Sequence, residues 1–171
     1  MEFWGAIYSW IDFLAKEQFL SPLVLFLSVF FSYKGIVKTI RSNRKNMKDR
    51  ATISYIMERN SDDEFTEGLK IILEIDRDDN QDIKKFAKKD HRVSEEATKI
   101  RHIANHYEYL AVGIVNDIYN EKMLKKSSKG TTIRIHKALE KYITEIRRER
   151  KSNTIYENFD HLAGRWEKED S

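Results

Sequence analysis

An apolar, charge-free run near the N-terminus constrains this chain more than any other feature. No charged residue lies between Glu17 and Lys34, and 13 of the 19 residues from Phe19 to Val37 are aliphatic or aromatic. A bilayer core about 30 Å thick needs roughly 20 helical residues, and lysines at the end of a span can extend toward the headgroups. The run therefore predicts one membrane-spanning helix over residues 19–40. A buried helix of a soluble domain is the alternative.

The residues that flank the run predict how the chain crosses the membrane. Trp4, Tyr8 and Trp10 precede it, and the segment KGIVKTIRSNRKNMKDR, dense in Lys and Arg, follows it. Interfacial aromatic residues and basic cytoplasmic flanks are typical of membrane proteins. We expect a single-pass membrane protein with its N-terminus outside and residues 42–171 in the cytoplasm. A cleaved signal peptide is not expected, since the segment lacks a basic start and a small-residue cleavage site.

Small and hydroxyl-bearing residues recur along one face of the predicted span. They are Ser21, Ser28, Ser32, Gly35 and Thr39, named here the small-residue stripe. Such residues permit close helix–helix approach in a bilayer, and in a ring of helices they could line a pore. The spacing leaves both interpretations open. In the pore interpretation Lys34, Lys38 and Arg41 form a basic inner mouth.

The composition of the whole chain favours helices and excludes several kinds of site. There are one Pro and six Gly in 171 residues, and no Cys. So few turn-forming residues exclude a protein of many short strands. Without Cys there are no disulfides, thiolate metal sites or cysteine nucleophiles. The 31 basic and 28 acidic side chains give a net charge of +3, a mixed balance unlike that of a nucleic-acid-binding tail.

Helix-start patterns predict an all-α bundle over residues 42–171. Ser61 and Glu64 fit a capping box, and Ser94 stands at the start of the longest apolar pattern. Asn153 is expected to cap the last helix. Several helices in series without strands indicate a helical bundle.

Polar stretches predict the breaks between these helices. Residues 76–82 and 127–130 are expected to be loops, and a short basic helix is expected near 81–90. The chain therefore has two predicted domains. Residues 1–41 form an interfacial helix and the span, and residues 42–171 form the bundle.

One local pattern on the longest predicted helix has a catalytic interpretation. Arg101 is followed by His102, and His106 comes after three further residues. This pattern resembles the signature of the HEPN superfamily, helical domains many of which are metal-independent ribonucleases. The resemblance implies a HEPN-like bundle in which Arg101 stabilises phosphate charge and His106 acts as general acid or base. The two residues lie about 140° apart on an ideal helix, so an active site would need two chains.

No cofactor is expected from the sequence. His102 and His106 have the spacing of two metal ligands on one helical face, but the sequence places no third ligand beside them. We therefore expect no metal. Whether the HEPN-like motif is catalytic stays open, and a non-catalytic role is favoured.

The last predicted helix carries a second resemblance. Its pattern is Tyr156-x-x-Phe159-x-x-Leu162-Ala163-x-x-Trp166. Together with the N-terminal span, this pattern resembles that of a group of small membrane-anchored bacterial proteins that are classified only as a domain of unknown function. The span, the chain length and the HEPN-like motif also resemble the membrane accessory proteins encoded beside the RNA-guided ribonuclease of type VI-B CRISPR loci.

That resemblance implies an antiviral function. The implied activity is a homo-oligomeric pore that depolarises the inner membrane and supports the ribonuclease. The implied partners are further copies of the chain, the lipid bilayer and, functionally, the ribonuclease; direct binding of nucleic acid stays open. Two alternatives also stay open: a membrane-tethered HEPN-type ribonuclease, and a single-pass scaffold that binds another protein.

Overall fold

The predicted all-α fold is confirmed. The computed structural model describes residues 2–15 and 17–169, without the side chains of residues 2, 3, 6, 14, 15 and 17–21. The described residues contain no strand and form α1 (Glu2–Ala15), α2 (Glu17–Asn60), α3 (Asp63–Arg77), α4 (Glu95–Val115), α5 (Glu121–Arg150) and α6 (Glu157–Lys168). The short basic helix expected near 81–90 is a 3₁₀ helix, Ile83–Ala87.

The chain divides into two compact units, Met1–Asn46 and Met47–Ser171. Among the described residues, one helix near the N-terminus is long and apolar enough to cross a membrane, by length and composition. This is α2, and no part of its most apolar window is buried. The candidate span lies in the first unit, and the second unit holds the hydrophobic core.

The core of the second unit is built around α4. This helix packs against α3 and α6, while α5 packs against α6 and the 3₁₀ helix. The rings of Tyr107 and Phe159 stack with centroids 4.9 Å apart. Trp166 is fully buried, and its indole N–H donates to the Glu121 carboxylate over 2.7 Å. These aromatic side chains fix α6 against α4 and α5.

Two predicted helix starts have different outcomes. Ser94 is confirmed as the N-cap of α4, and its hydroxyl accepts from the backbone N–H of Ala97 over 3.1 Å. The predicted capping box is wrong by one residue. Asp62, not Ser61, caps α3 and accepts from the N–H of Phe65 over 2.9 Å. The hydroxyl of Ser61 instead donates to a carbonyl in the last turn of α2.

The predicted loop at 127–130 is wrong, because this segment lies inside α5. Both of its serines donate their hydroxyls to the carbonyl of Leu124, so they do not compete with the helix for other backbone groups. The break comes earlier, where Asp117 has left-handed backbone with φ 60°. Asn120 then caps α5 with its side chain, and its backbone N–H donates to Thr52 over 2.7 Å.

The start of α6 is fixed by a residue of α4. Asn153 does not cap this helix, which begins only after Tyr156, a residue with φ 59° and no side-chain cap. The carboxylate of Glu108 instead accepts from the backbone N–H groups of Asn158, over 3.4 Å, and Phe159, over 2.9 Å. A negative charge at these N–H groups also complements the helix dipole.

Candidate functional site

The HEPN-like motif lies in the middle of α4. Buried Ile103, Ala104 and Tyr107 fix this part of the helix in the core. The polar residues around them point toward two different sets of neighbours. His102 and His106 contact residues of α2, α3 and the turn between them. On the other side of α4, Arg101 bonds to the carbonyl of Arg92, and Asn105 accepts from the hydroxyl of Tyr156.

His106 lies among aromatic rings. Its ring centroid is 4.4 Å from that of Phe65 and 5.1 Å from that of Tyr55, whose ring is nearly parallel to it. Burial lowers the pKa of His106 to about 4, with a further contribution from the positive charge of Arg59. At neutral pH the imidazole is therefore uncharged.

The hydroxyl of Tyr55 occupies one nitrogen of this imidazole. Burial raises the pKa of Tyr55 well above its ordinary value, so the hydroxyl stays protonated. The hydroxyl and the Nε2 atom of neutral His106 form a hydrogen bond, and in the tautomer protonated on Nδ1 the hydroxyl is the donor. A general base must reach the proton that it abstracts. His106 can do so through Nε2 only after it leaves Tyr55.

The burial of neutral His106 predicts that the second unit loses stability in mild acid. The unfolded histidine takes up a proton near pH 6.5, whereas the folded one resists protonation down to about pH 4. The unfolded state thus binds more protons in this interval. The stabilisation is complete above pH 6.5, and about 3 kcal/mol is lost by pH 4. Thermal unfolding of the detergent-solubilised chain, followed by circular dichroism between pH 7.5 and 4, measures this loss.

A His106→Gln variant is the control for this titration. Glutamine keeps an acceptor for the Tyr55 hydroxyl but has no proton to gain. Its melting temperature should therefore change less than that of the wild type over the same pH range. The same pH dependence in both proteins would contradict the assignment to His106.

Arg101 lies in a different, strongly basic environment. Its guanidinium donates to the carbonyl of Arg92 over 3.3 Å and to a hydroxyl of its own helix. Burial raises the pKa values of Tyr142 and Tyr156, and the positive charges of Arg101 and Arg150 act in the opposite direction. Arginine side chains and tyrosine hydroxyls thus meet on this side of α4.

One chain does not bring the two ends of the motif together. The hydroxyl of Tyr156 donates to Asn105 over 3.1 Å on the side where Arg101 lies. His106 contacts Tyr55 on the other side. Cleavage of a phosphodiester by this pair would need the acid–base group and the cation at the same bond. Within one chain the motif holds α4 against its neighbours.

His102 interacts with a carboxylate and not with a metal-binding set. Its Nε2 atom lies 3.3 Å from Oδ2 of Asp62, the residue that caps α3. The backbone hydrogen bond from Phe65, and then the interaction with His102, lower the pKa of Asp62. Within residues 2–15 and 17–169, no group of three or more His, Asp or Glu side chains could hold a metal ion.

Part of the small-residue stripe satisfies its hydrogen bonds within α2. The hydroxyl of Ser28 donates to the carbonyl of Leu25 over 2.8 Å, and that of Thr39 donates to the carbonyl of Gly35 over 3.0 Å. A Cβ atom added to Gly35 would meet nothing within 4 Å. The stripe is therefore an open face of small side chains. Because the hydroxyls of Ser28 and Thr39 already donate within α2, they can lie in lipid without another hydrogen-bond partner.

The predicted basic mouth lies on another side of α2. All described members of the stripe and of the predicted mouth are exposed: Ser28, Ser32, Gly35, Thr39, Lys34, Lys38 and Arg41. The side chain of Ser21 lies outside the described residues. The ammonium of Lys34 stands 4.6 Å from the ring centroid of Phe30. On an ideal helix the three basic residues lie roughly 90° to 150° from the middle of the stripe. The stripe and the basic residues thus form different faces.

Sequence reasoning missed the residues that hold the motif in place. Tyr55 and Glu108 make the contacts described above with His106 and α6, and Arg59 acts electrostatically on His106. A signal for two of them exists, because Thr52, Tyr55 and Arg59 recur at steps of three and four. That spacing marks one face of a helix.

The similarity of this chain to a known family covers most of its helices. No curated protein and no solved structure matches the chain. The family's model matches residues 19–166, from the N-terminal part of α2 to near the end of α6. Since this is more than half of the sequence, the chain belongs to the family of DUF4760, a domain of unknown function.

Proposed function

We propose that this protein is a membrane-anchored effector that self-assembles through α2 and permeabilises the bacterial inner membrane in support of RNA-guided antiviral defence. The uncovered apolar part of α2 carries the proposal. Between Pro22 and Asn46 every side chain is exposed except that of Val37, which is half-buried. Such a helix needs lipid or other helices around it. Its basic C-terminal flank supports a single pass with the N-terminus outside and the bundle in the cytoplasm.

The small-residue stripe supports assembly into a ring. A single helix cannot enclose a pore, so permeabilisation requires several copies. Gly35 and the hydroxyl residues let neighbouring helices approach closely. The hydroxyls of Ser28 and Thr39 already donate within α2, so they can lie beside either a neighbouring helix or water. Lys34 and Arg41 lie away from this face, where they can meet the anionic headgroups of the cytoplasmic leaflet.

The antiviral setting rests on the resemblance to accessory proteins of type VI-B CRISPR loci. The N-terminal span, the chain length and the motif from Arg101 to His106 support it. In this proposal, target recognition by the RNA-guided ribonuclease leads to opening of the ring. The motif then has a structural role inside the bundle.

A membrane-tethered ribonuclease has less support from the geometry. The Nε2 atom of His106 is occupied by Tyr55, and Arg101 lies on the other side of α4. A catalytic protein would lose RNA cleavage in both Arg101→Ala and His106→Ala variants while the helical fold is kept. Robust RNA cleavage by the purified wild type, lost in both variants, would overturn the structural role of the motif.

The membrane potential of living bacteria tests the proposed function. The protein is expressed with and without a type VI-B ribonuclease, its guide and a target RNA, and a potential-sensitive dye reports polarisation. We expect depolarisation only when all components are present. A control in which an unrelated single-pass helix replaces residues 19–40 should stay polarised. Unchanged polarisation while the ribonuclease cleaves its target would count against the proposal.

A further inference from the structure

A cavity of about 260 Å³ opens on the second unit, between the end of α2 and helices α3, α4 and α5. Its lining is apolar on one part, where Phe65 and Leu69 contribute, and polar on the rest, with hydroxyls of Thr66 and Thr131. Polar side chains form most of the lining, so the cavity suits a ligand that has several polar groups beside a smaller apolar part.

Arg59 gives the cavity a positive charge without a counter-charge. Its guanidinium donates to the adjacent Asn60 over 3.3 Å and forms no ion pair with any residue the structure describes. No carboxylate lines the cavity. Asp62 follows closely in sequence, but its carboxylate accepts from the backbone of Phe65 and lies beside His102. The cavity therefore favours an anion.

Tyr107 places an unused donor at the same cavity. Its side chain is fully buried, and its hydroxyl has no hydrogen-bond partner among the described residues. Burial raises the pKa of Tyr107 to about 12, and the charge of Arg59 opposes that rise. The hydroxyl is therefore protonated, and it lies within electrostatic reach of the guanidinium. A buried donor without a partner costs stability unless something else accepts from it.

We propose that this cavity binds a small organic phosphate of mononucleotide size. Arg59 pairs with the phosphate, and the hydroxyls of Tyr107 and Thr131 donate to it. These three donors come from α2, α4 and α5, and a phosphate has more acceptor oxygens than a carboxylate with which to pair with all of them. Phe65 and Leu69 cover the apolar part of the ligand. The volume of about 260 Å³ lies just below the usual range for ligand sites, so it limits the ligand to about the size of a mononucleotide and excludes a polymer. This inference does not depend on the proposed membrane activity.

Calorimetric titration of the full chain in detergent tests the site. The probes are AMP, inorganic phosphate and, as an uncharged match, adenosine. We expect saturable binding of AMP, at least about tenfold weaker binding of adenosine, and about a tenfold loss of AMP affinity in Arg59→Gln, since a charge-assisted pair is lost. Arg134→Gln, an exposed arginine of α5 outside the cavity, should bind like the wild type.

A second variant separates a binding role of Tyr107 from a structural one. Tyr107→Phe keeps the ring and removes only the hydroxyl that has no partner. We expect its melting temperature without ligand to be unchanged or higher, and its AMP affinity to fall severalfold. A lower melting temperature with unchanged AMP affinity would overturn the role of Tyr107.

Three outcomes of the titrations in detergent overturn the proposal. They are no binding of AMP or phosphate at millimolar concentrations, equal affinity of Arg59→Gln and the wild type, and equal binding of adenosine and AMP. Nanodiscs separate a soluble ligand from a lipid headgroup. AMP that binds in detergent and in zwitterionic nanodiscs but not in anionic ones would show that a lipid phosphate is the occupant, which contradicts a soluble organic phosphate.

Discussion

Gly35→Leu will abolish permeabilisation of vesicles by the reconstituted protein and will leave the single chain folded. Within one chain a Cβ atom added at Gly35 meets nothing within 4 Å, and leucine favours a helix over glycine by somewhat less than about 1 kcal/mol. In a ring packed along the small-residue stripe, the leucine would hold neighbouring helices apart. Release of a trapped dye from liposomes that hold the protein together with the ribonuclease, its guide and its target RNA measures the loss, and circular dichroism of the single chain reports the fold.

Gly130→Leu is the matched control for this substitution. Gly130 also lies in a helix, α5, with open space around the added side chain. The variant has the same change in size and helix propensity but lies outside the candidate span. It should release dye like the wild type. Wild-type release by Gly35→Leu would contradict close packing along the stripe.

Trp166→Ala will unfold the second unit or bring it close to unfolding. The side chain is fully buried between helices and donates to Glu121. Truncation of a buried tryptophan costs about 3–5 kcal/mol, a large share of the roughly 5–15 kcal/mol by which domains are stable. Because α6 packs on both α4 and α5, its loss exposes the core from two sides. The melting temperature and protease sensitivity of the full chain measure the effect.

Tyr109→Ala controls for the loss of an aromatic side chain as such. Tyr109 lies on α4 and is 70% exposed. Its truncation should shift the melting temperature far less than Trp166→Ala. If Trp166→Ala melted within a few degrees of the wild type, the packing of α6 described above would be wrong.

Strong periodicity and caps make parts of this fold predictable from the sequence. The apolar run identifies the candidate span, and Ser94 identifies the start of α4. The prediction of a loop at 127–130 is wrong because its serines form hydrogen bonds within α5, and whether serines do so depends on the tertiary context. In α2, Met47 and Met57 are exposed, while polar Thr52 is fully buried because Asn120 bonds to it. A partner so distant in sequence leaves no local signal.

The candidate site is predictable only in part for the same reason. The spacing of Arg101 and His106 is enough to predict that they diverge around a helix, and their contacts lie on different sides of α4. The residue that forms a hydrogen bond with the imidazole of His106 is Tyr55, 51 positions earlier in the chain. The cavity near Arg59 depends on four helices that meet in space, which no short pattern encodes.

The copy number of the intact protein in detergent tests the central claim most directly. Single-particle electron microscopy of the full chain gives both the number of subunits and their symmetry. We predict a closed ring of several identical copies in which the stripes from Ser28 to Thr39 face neighbouring helices or a central opening. A particle that contains one or two chains would contradict assembly through α2 and, with it, the proposed pore.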